Sequence, residues 1–404
     1  MSDMRVMVIQ QGARRNYTYA RQLEAAGLLH SVVTDAAWPE SGPGLAGRLA
    51  IGLVPRLSRT LGRRTVHGVP GVRLRASALP NLASLSRRIV HEERAYAIAD
   101  EALALANRWR GLDGASIVVN YQGNGGSFLD YAKRKGAKIV TDFIITPKYL
   151  EIERDEQARW PEWEAHVTPQ AVIDFYRRRV SHLVQISDVY LCPSQAVVRD
   201  LAELPGFVAD RVRVLPYGVS GMALHQGVPV PGRVLFAGAA GLRKGLPYLA
   251  NAATVLKRVR PDVQIVVAGQ VADTVRERPE VRDLTFLGVL DRQQMADEFA
   301  RADVFCLPSL AEGSATSIFE ALANGLPVVT TASSGSVVTD GVEGFIVPER
   351  DGERIAKAIL AIVSDRAKRM SMSQAASATA QRYGDDACGE AFVAAIKDLD
   401  GRGA

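Results

Sequence analysis

Residues 312–320 read Glu-Gly-Ser-Ala-Thr-Ser-Ile-Phe-Glu. The apolar stretch Val304-Phe-Cys-Leu307 precedes them, and Ile318, Phe319, Ala321 and Leu322 follow at the spacing of a helix face. The pattern predicts a buried strand, a loop of small residues and a helix start, in that order. Two carboxylates, Glu312 and Glu320, then lie eight positions apart at the carboxyl end of a sheet. Open α/β sheets bind their ligands at that end.

Working outward, strand-like runs alternate with helical patterns along the whole chain, which predicts βαβ units and parallel sheets. In the first half the strands fall near Arg5–Ile9, Ser31–Thr34, Val72–Arg75, Ile117–Asn120, Lys138–Asp142 and Val189–Pro193. A second series runs through Val234–Ala237, Gln264–Ala268, Thr285–Leu287, Val304–Leu307, Pro327–Thr330 and Phe345–Val347. Between the series, Gly218 to Gly232 is dense in Gly and Pro and lacks periodicity, as a linker does. Two helical patterns, Ala367–Tyr383 and Asp386–Leu399, close the chain. The expected fold class is α/β, with two doubly wound Rossmann-like domains facing across a cleft. Their expected extents are 1–217 and 218–383.

With 404 residues, 47% hydrophobic and 23% charged, the chain has the composition of a globular protein with two full cores. No apolar run reaches the ~18 residues of a membrane span, and the apolar run at the N-terminus is too short for a signal-peptide core. Cys192, Cys306 and Cys388 lie far apart without metal-ligand spacing, which predicts a reducing, cytoplasmic setting. No Asp-x-Asp lies in the strand–loop setting that a divalent cation favours, so no metal and no cofactor is expected.

The second half resembles the retaining glycosyltransferases of family 4, which have the GT-B fold. Four segments carry the likeness in order: Phe236 to Gly245, Val266 to Gly269, Phe286 to Val289, and the Glu312–Glu320 pair running into Ala321-Leu-Ala-Asn-Gly-Leu-Pro327. Asp340 to Val347 extends it. The resemblance implies a nucleoside-diphosphate sugar as co-substrate. Arg243 and Lys244 would neutralise the diphosphate. Gly238, Gly313, Ser314, Ala315 and Thr316 would let backbone and helix dipole approach phosphate. Glu320 would hold the ribose diol, Glu312 the sugar near its anomeric carbon, and the Gly288–Val289 turn the base. In this family the leaving diphosphate helps to deprotonate the acceptor, so no protein base is required. The closing helix, about 384–404, would cross back to the first domain.

The first half departs from that pattern. The loop after its first strand, which in the family touches the diphosphate, keeps one glycine, Gly12, followed by Arg14 and Arg15, and the resemblance implies that Gly12 and Arg14 reach the phosphates or the acceptor. Asp142 stands where a His is usual, and Ala239 where an Arg is usual. Asp142, Asn120 and Tyr121 are the candidates for contacts with sugar or acceptor. The run Glu151 to Glu164 reads as a solvated helix that ends at Pro161, with Trp160 and Trp163 near the cleft.

Between Leu45 and Arg94 there are ten Arg and two Glu, and Leu45, Leu49, Leu53, Leu57 and Leu61 recur every fourth residue. A helix of that pattern suits an anionic membrane surface or a packing interface. Nucleic acid is not expected, because aromatics are absent there. The resulting reading is a glycosyltransferase acting on a glycan or lipid-linked acceptor in cell-surface polysaccharide or glycolipid synthesis. It would be cytoplasmic, peripheral on the membrane, and draw on a nucleotide sugar, UDP by preference. A silent nucleotide-sugar-binding partner of a glycan assembly, or another GT-B enzyme such as an epimerase, stays open as the alternative.

Overall fold

The computed structural model describes residues 4–35, 37–42, 64–83, 86, 89–219 and 228–401. The leucine ladder from Leu45 to Leu61 and most of the Gly/Pro-rich linker lie outside the described residues.

Seven strands make the first sheet: β1 Val6–Gln10, β2 Leu29–Asp35, β3 Leu74–Ser77, β4 Ile117–Tyr121, β5 Lys138–Asp142, β6 Val189–Cys192 and β7 Val212–Val214. Their spatial order is β3-β2-β1-β4-β5-β6-β7, all parallel. Six more make the second: β8 Arg233–Ala237, β9 Gln264–Ala268, β10 Leu284–Gly288, β11 Val304–Leu307, β12 Val328–Thr330 and β13 Gly344–Ile346. Their order is β10-β9-β8-β11-β12-β13, again parallel. Helices cover both faces of such sheets, so the central strands are apolar throughout. Val6–Gln10 is buried at every position. Val8 stands opposite Val32 on one side and Val119 on the other.

The strand order reverses between β1 and β4 in one sheet and between β8 and β11 in the other. Each reversal opens a crevice at the carboxyl ends of the strands. The loops there are Gln11–Arg14 and Gln122–Gly125 in the first half, and 238–245 and 308–315 in the second.

The closing helix Asp385–Gly401 packs on the first half. Phe392 stacks on Tyr19 with ring centroids 3.9 Å apart, and Ile396 and Leu399 join the same core. Each such side chain contributes about 1.5–3 kcal/mol on burial, which holds the helix across the divide. The chain's outward and return crossings lie side by side, because Val219 N–H donates to Tyr383 O at 3.0 Å. Gly218 sits at φ 68°, and a Cβ there would lie 2.3 Å from Tyr383 O, so only glycine fits.

The helix Tyr149–Arg159 is present, but not as the solvated element expected. Glu156 is fully buried, bonded by the Tyr248 hydroxyl at 2.5 Å and by Arg350 Nε at 2.6 Å. Trp163 is buried in the core of the second half, and Leu150 in a core of the first. Glu156, which reads as part of a surface pair along the chain, is thus met by Arg350 from 194 positions away. His182 pairs with Asp130 at 3.1 Å on the surface.

Candidate functional site

In the second half the loop after β8 runs from Gly238 to Gly245, the left-handed residue (φ 75°) that caps the helix Leu246–Val259. A Cβ at Gly245 would meet Pro308 O at 2.1 Å, so this loop presses against the one that follows β11. The contact brings Arg243 and Lys244 onto Glu312. Lys244 Nζ donates to Glu312 Oε1 at 2.7 Å, and Arg243 Nη1 pairs with the same oxygen at 2.9 Å. Arg243 Nη1 also donates to Ala311 O at 2.7 Å. Burial alone would raise the pKa of Glu312, but Arg243 and then Lys244 hold its carboxylate below the ordinary range.

Beyond Glu312 the chain is closely packed. A Cβ on Gly313 would fall 1.9 Å from Ile144 O in the loop after β5, so the two halves touch here backbone to backbone. The Ser314 hydroxyl is buried and has no partner among the described residues. The helix Thr316–Ala323 starts without a side-chain cap. Ser314 and Thr316 therefore do not cap it. Of the two amides expected to face phosphate, that of Ala315 donates instead to Ser334 O at 3.2 Å. The Thr316 amide has no acceptor among the described residues, and Thr316 is exposed. Glu320 is half-buried one turn on, its carboxylate has no partner among the described residues, and burial pushes its pKa up. Gly238 packs beside Lys244, within 3.2 Å of its Cε if a Cβ were added. Gly288 holds the turn at φ 75°, where its carbonyl accepts from Gly269 N–H at 2.7 Å, and Val289 is largely exposed.

In the first half Gly12 also has a left-handed φ, 72°, and its amide donates to Asp35 Oδ1 at 2.8 Å. Asp35 is in turn held by Arg64. Arg14 is exposed toward the cleft, with its guanidinium 5.7 Å from the Tyr121 ring centre. Arg15 turns inward instead and donates to Tyr217 O at 2.9 Å.

The three acceptor-side candidates are internal. Asp142 is buried and accepts from the hydroxyls of Tyr19 at 3.0 Å and Tyr217 at 3.1 Å. Burial raises it to about 6, against the pull of Arg15. It ends a central strand beneath the helix Thr18–Ala25, which leaves it no open face. Asn120 is buried too; its amide donates to Asn124 O at 2.9 Å and its oxygen accepts from Thr141. Tyr121 is buried against Tyr19, with its hydroxyl unpartnered among the described residues. These residues form the floor beneath the site and shape its loops.

Between the halves opens a cleft of about 950 Å³ whose lining runs from Gly12 and Arg14 to Arg243 and Glu312. Sequence reasoning missed several of its groups. Glu153 reaches across from the helix Tyr149–Arg159 to lie 3.3 Å from Arg243 Nε. Burial pushes it up to about 7, opposed by Arg243. The Tyr149 hydroxyl bonds Glu93, and Gln122 donates to the Tyr176 hydroxyl at 2.5 Å. Asp100 receives the amides of Gly125 at 2.6 Å and Gly126 at 2.9 Å, together with Arg179 at 2.9 Å. It thereby fixes the Gly-rich loop after β4. The available signal was spacing: Leu150, Glu153 and Gln157 share one helix face with an evident core residue.

Residues 231–365 match the model of the family described as glycosyl transferases group 1. D-inositol 3-phosphate glycosyltransferase of Xylanimonas cellulosilytica is 30% identical over 240 residues, which are 52% of this chain and 57% of that protein. The chain thus spans little more than half the length of such curated relatives. Among solved structures, WaaG, a glycosyltransferase involved in lipopolysaccharide biosynthesis, superposes with TM-score 0.62 at 15% identity, over 96% of this chain and 98% of that one. Anabaena HepE in complex with UDP-glucose does so with TM-score 0.61 at 15% identity, over 98% and 100%. Likeness at that identity shows the fold, which is GT-B. The likeness to the glycosyl transferases group 1 family thus lies in the second half of the chain.

Proposed function

We propose that the chain is a retaining glycosyltransferase that moves a sugar from a nucleoside diphosphate to a hydroxyl of a glycan or lipid-linked acceptor. The observation that carries this reading is the gathering of Arg243 and Lys244 on Glu312, beside an uncapped helix start and the unpaired Glu320. A diphosphate entering there finds two cations and a helix dipole. Glu320 offers two carboxylate oxygens to a vicinal diol. UDP is the favoured nucleotide, supported by the UDP-glucose that HepE holds.

In this reading Arg243 and Lys244 stabilise the charge that develops on the leaving diphosphate. Glu312, kept ionised by the same cations, faces the sugar as it gains oxocarbenium character. A diphosphate oxygen takes the acceptor proton, and no divalent metal is needed because the cation pair supplies the charge. The acceptor enters through the cleft of the first half. Work at the cytoplasmic face of a membrane, in cell-surface polysaccharide or glycolipid synthesis, is the setting we infer, supported by the role of WaaG.

The test is a panel of UDP-, GDP- and ADP-sugars assayed by thermal shift and by donor hydrolysis. One donor should raise the melting temperature and be turned over. Glu312→Gln should abolish turnover while the protein still binds that donor. Stabilisation by a donor without any turnover in the unmodified chain would instead favour a silent binding partner.

A further inference from the structure

One exposed surface outside the cleft has a use that the donor site does not explain. The helix Glu92–Arg108 begins at the cleft rim, where His91, Glu93 and Tyr96 are part of the lining. Its buried face carries Ala95, Ala99, Leu103 and Ala104. On the opposite face Ile98, Leu105 and Trp109 are 45%, 55% and 98% exposed. Their spacing of seven and then four residues puts them within an arc of about 40°. The stripe therefore runs from the cleft rim down a helix about 25 Å long. A helix that already fills a core face has no folding reason to carry a second apolar face, and a fully exposed Trp is the strongest departure.

The far end of the stripe is cationic. A cavity of about 790 Å³ opens there, lined by Arg5, His30, Arg73, Arg75 and Arg110, with Asp113 the one acid among the described residues of its lining and Arg73 paired with Glu24 at 3.2 Å. Asp113 is already paired with Arg75 at 3.1 Å. Arg110 is exposed and has no acidic partner among the described residues. Val72, beside this cavity, is also almost fully exposed. Apolar side chains including a Trp, bordered by arginines, match the interface of a bilayer with anionic headgroups. A second copy of this chain would place the same arginines close to one another, which like charges oppose.

We propose that the Ile98–Leu105–Trp109 stripe and the arginines at its end dock on an anionic lipid bilayer. Docked this way, the cleft rim lies against the headgroups. A lipid-linked acceptor then reaches Glu312 without leaving the membrane, a consequence that rests on the function proposed above. The surface consists of described residues and shares no residue with the leucine ladder.

The experiment is flotation of the full chain with phosphatidylcholine vesicles, with and without phosphatidylglycerol. The unmodified chain should float with the anionic vesicles and stay behind with the neutral ones. The double variant Trp109→Ser, Leu105→Ser should lose at least about fivefold of the floated fraction, on the scale of the apolar area removed from the interface. Arg110→Gln should weaken flotation on anionic vesicles alone. Melting temperature and donor hydrolysis without vesicles should remain as in the parent, which separates this outcome from failure of the proposed activity. Equal flotation of parent and double variant would overturn the proposal. So would a parent dimer in sedimentation that Trp109→Ser dissociates, since the stripe would then belong to a second copy.

Discussion

Glu153 and Glu312 hold Arg243 from two sides, one at 3.3 Å from Nε and the other at 2.9 Å from Nη1. The two acids come from opposite halves of the chain, so the guanidinium spans the cleft. A diphosphate that binds Arg243 competes with both. Glu153→Gln removes one competitor's charge and should tighten nucleoside diphosphate binding roughly two- to tenfold, or about 0.5–1.5 kcal/mol. Isothermal titration decides it, and weaker binding would show that Glu153 positions Arg243 for the ligand instead.

Arg243→Ala acts in the other direction. Loss of a charge-assisted, bidentate-capable donor should weaken the diphosphate by about 1.5–3 kcal/mol, at least tenfold in Kd. An unchanged Kd would remove Arg243 from the phosphate site.

Glu320 has a sharper test. If its carboxylate takes the ribose diol, Glu320→Ala should lose roughly tenfold in donor affinity. The same variant should be indifferent to a 2′-deoxy donor, whereas the parent discriminates against it. Equal discrimination by both proteins would place Glu320 away from the ribose.

Three buried carboxylates make stability depend on pH. Burial raises Glu153 and Asp100 to about 7 and Asp142 to about 6. Each binds its proton more tightly folded than unfolded, so each stabilises the fold most below the ordinary carboxylate range. That contribution is lost as pH rises toward 7. Glu312, held low by its cations, works in the opposite sense. Glu153→Gln removes one declining contribution, so its melting temperature should gain on the parent's between about pH 5 and about pH 7. A difference that stays constant with pH would contradict this.

Asp142 separates structure from chemistry. Asp142→Ala leaves the Tyr19 and Tyr217 hydroxyls without their acceptor, at about 1–3 kcal/mol for each buried group. Stability in a denaturant titration should fall by that order, while turnover per folded molecule changes little. A selective loss of turnover at unchanged stability would restore the acceptor role.

The second half was legible because its site is linear. Arg243, Lys244 and Glu312 lie on loops that follow predicted strands, Glu320 lies one turn into the next helix, and the strand order then brings the loops together. The strands themselves were readable because a parallel sheet buried on both faces leaves long apolar runs. The first half resisted reading for the opposite reason. Asp142 ends a strand, as a ligand contact would, but only the fold reveals that Tyr19 and Tyr217 cover it. Glu156 lies among surface-like charges, and its partners Tyr248 and Arg350 are far away in sequence. The bonding of the Ala315 amide to Ser334 likewise depends on how two loops meet.

The docking of Phe392, Ile396 and Leu399 into the first half has a consequence for biosynthesis. The core that contains Val6 and Val8 is closed by a helix that is made only after both sheets. The first half therefore cannot close its core as it emerges, and must wait for the second. A truncation just before Asp385 would spare Arg243, Lys244, Glu312 and Glu320 yet leave the first half with an open apolar face. The two crevices are thus obliged to appear together.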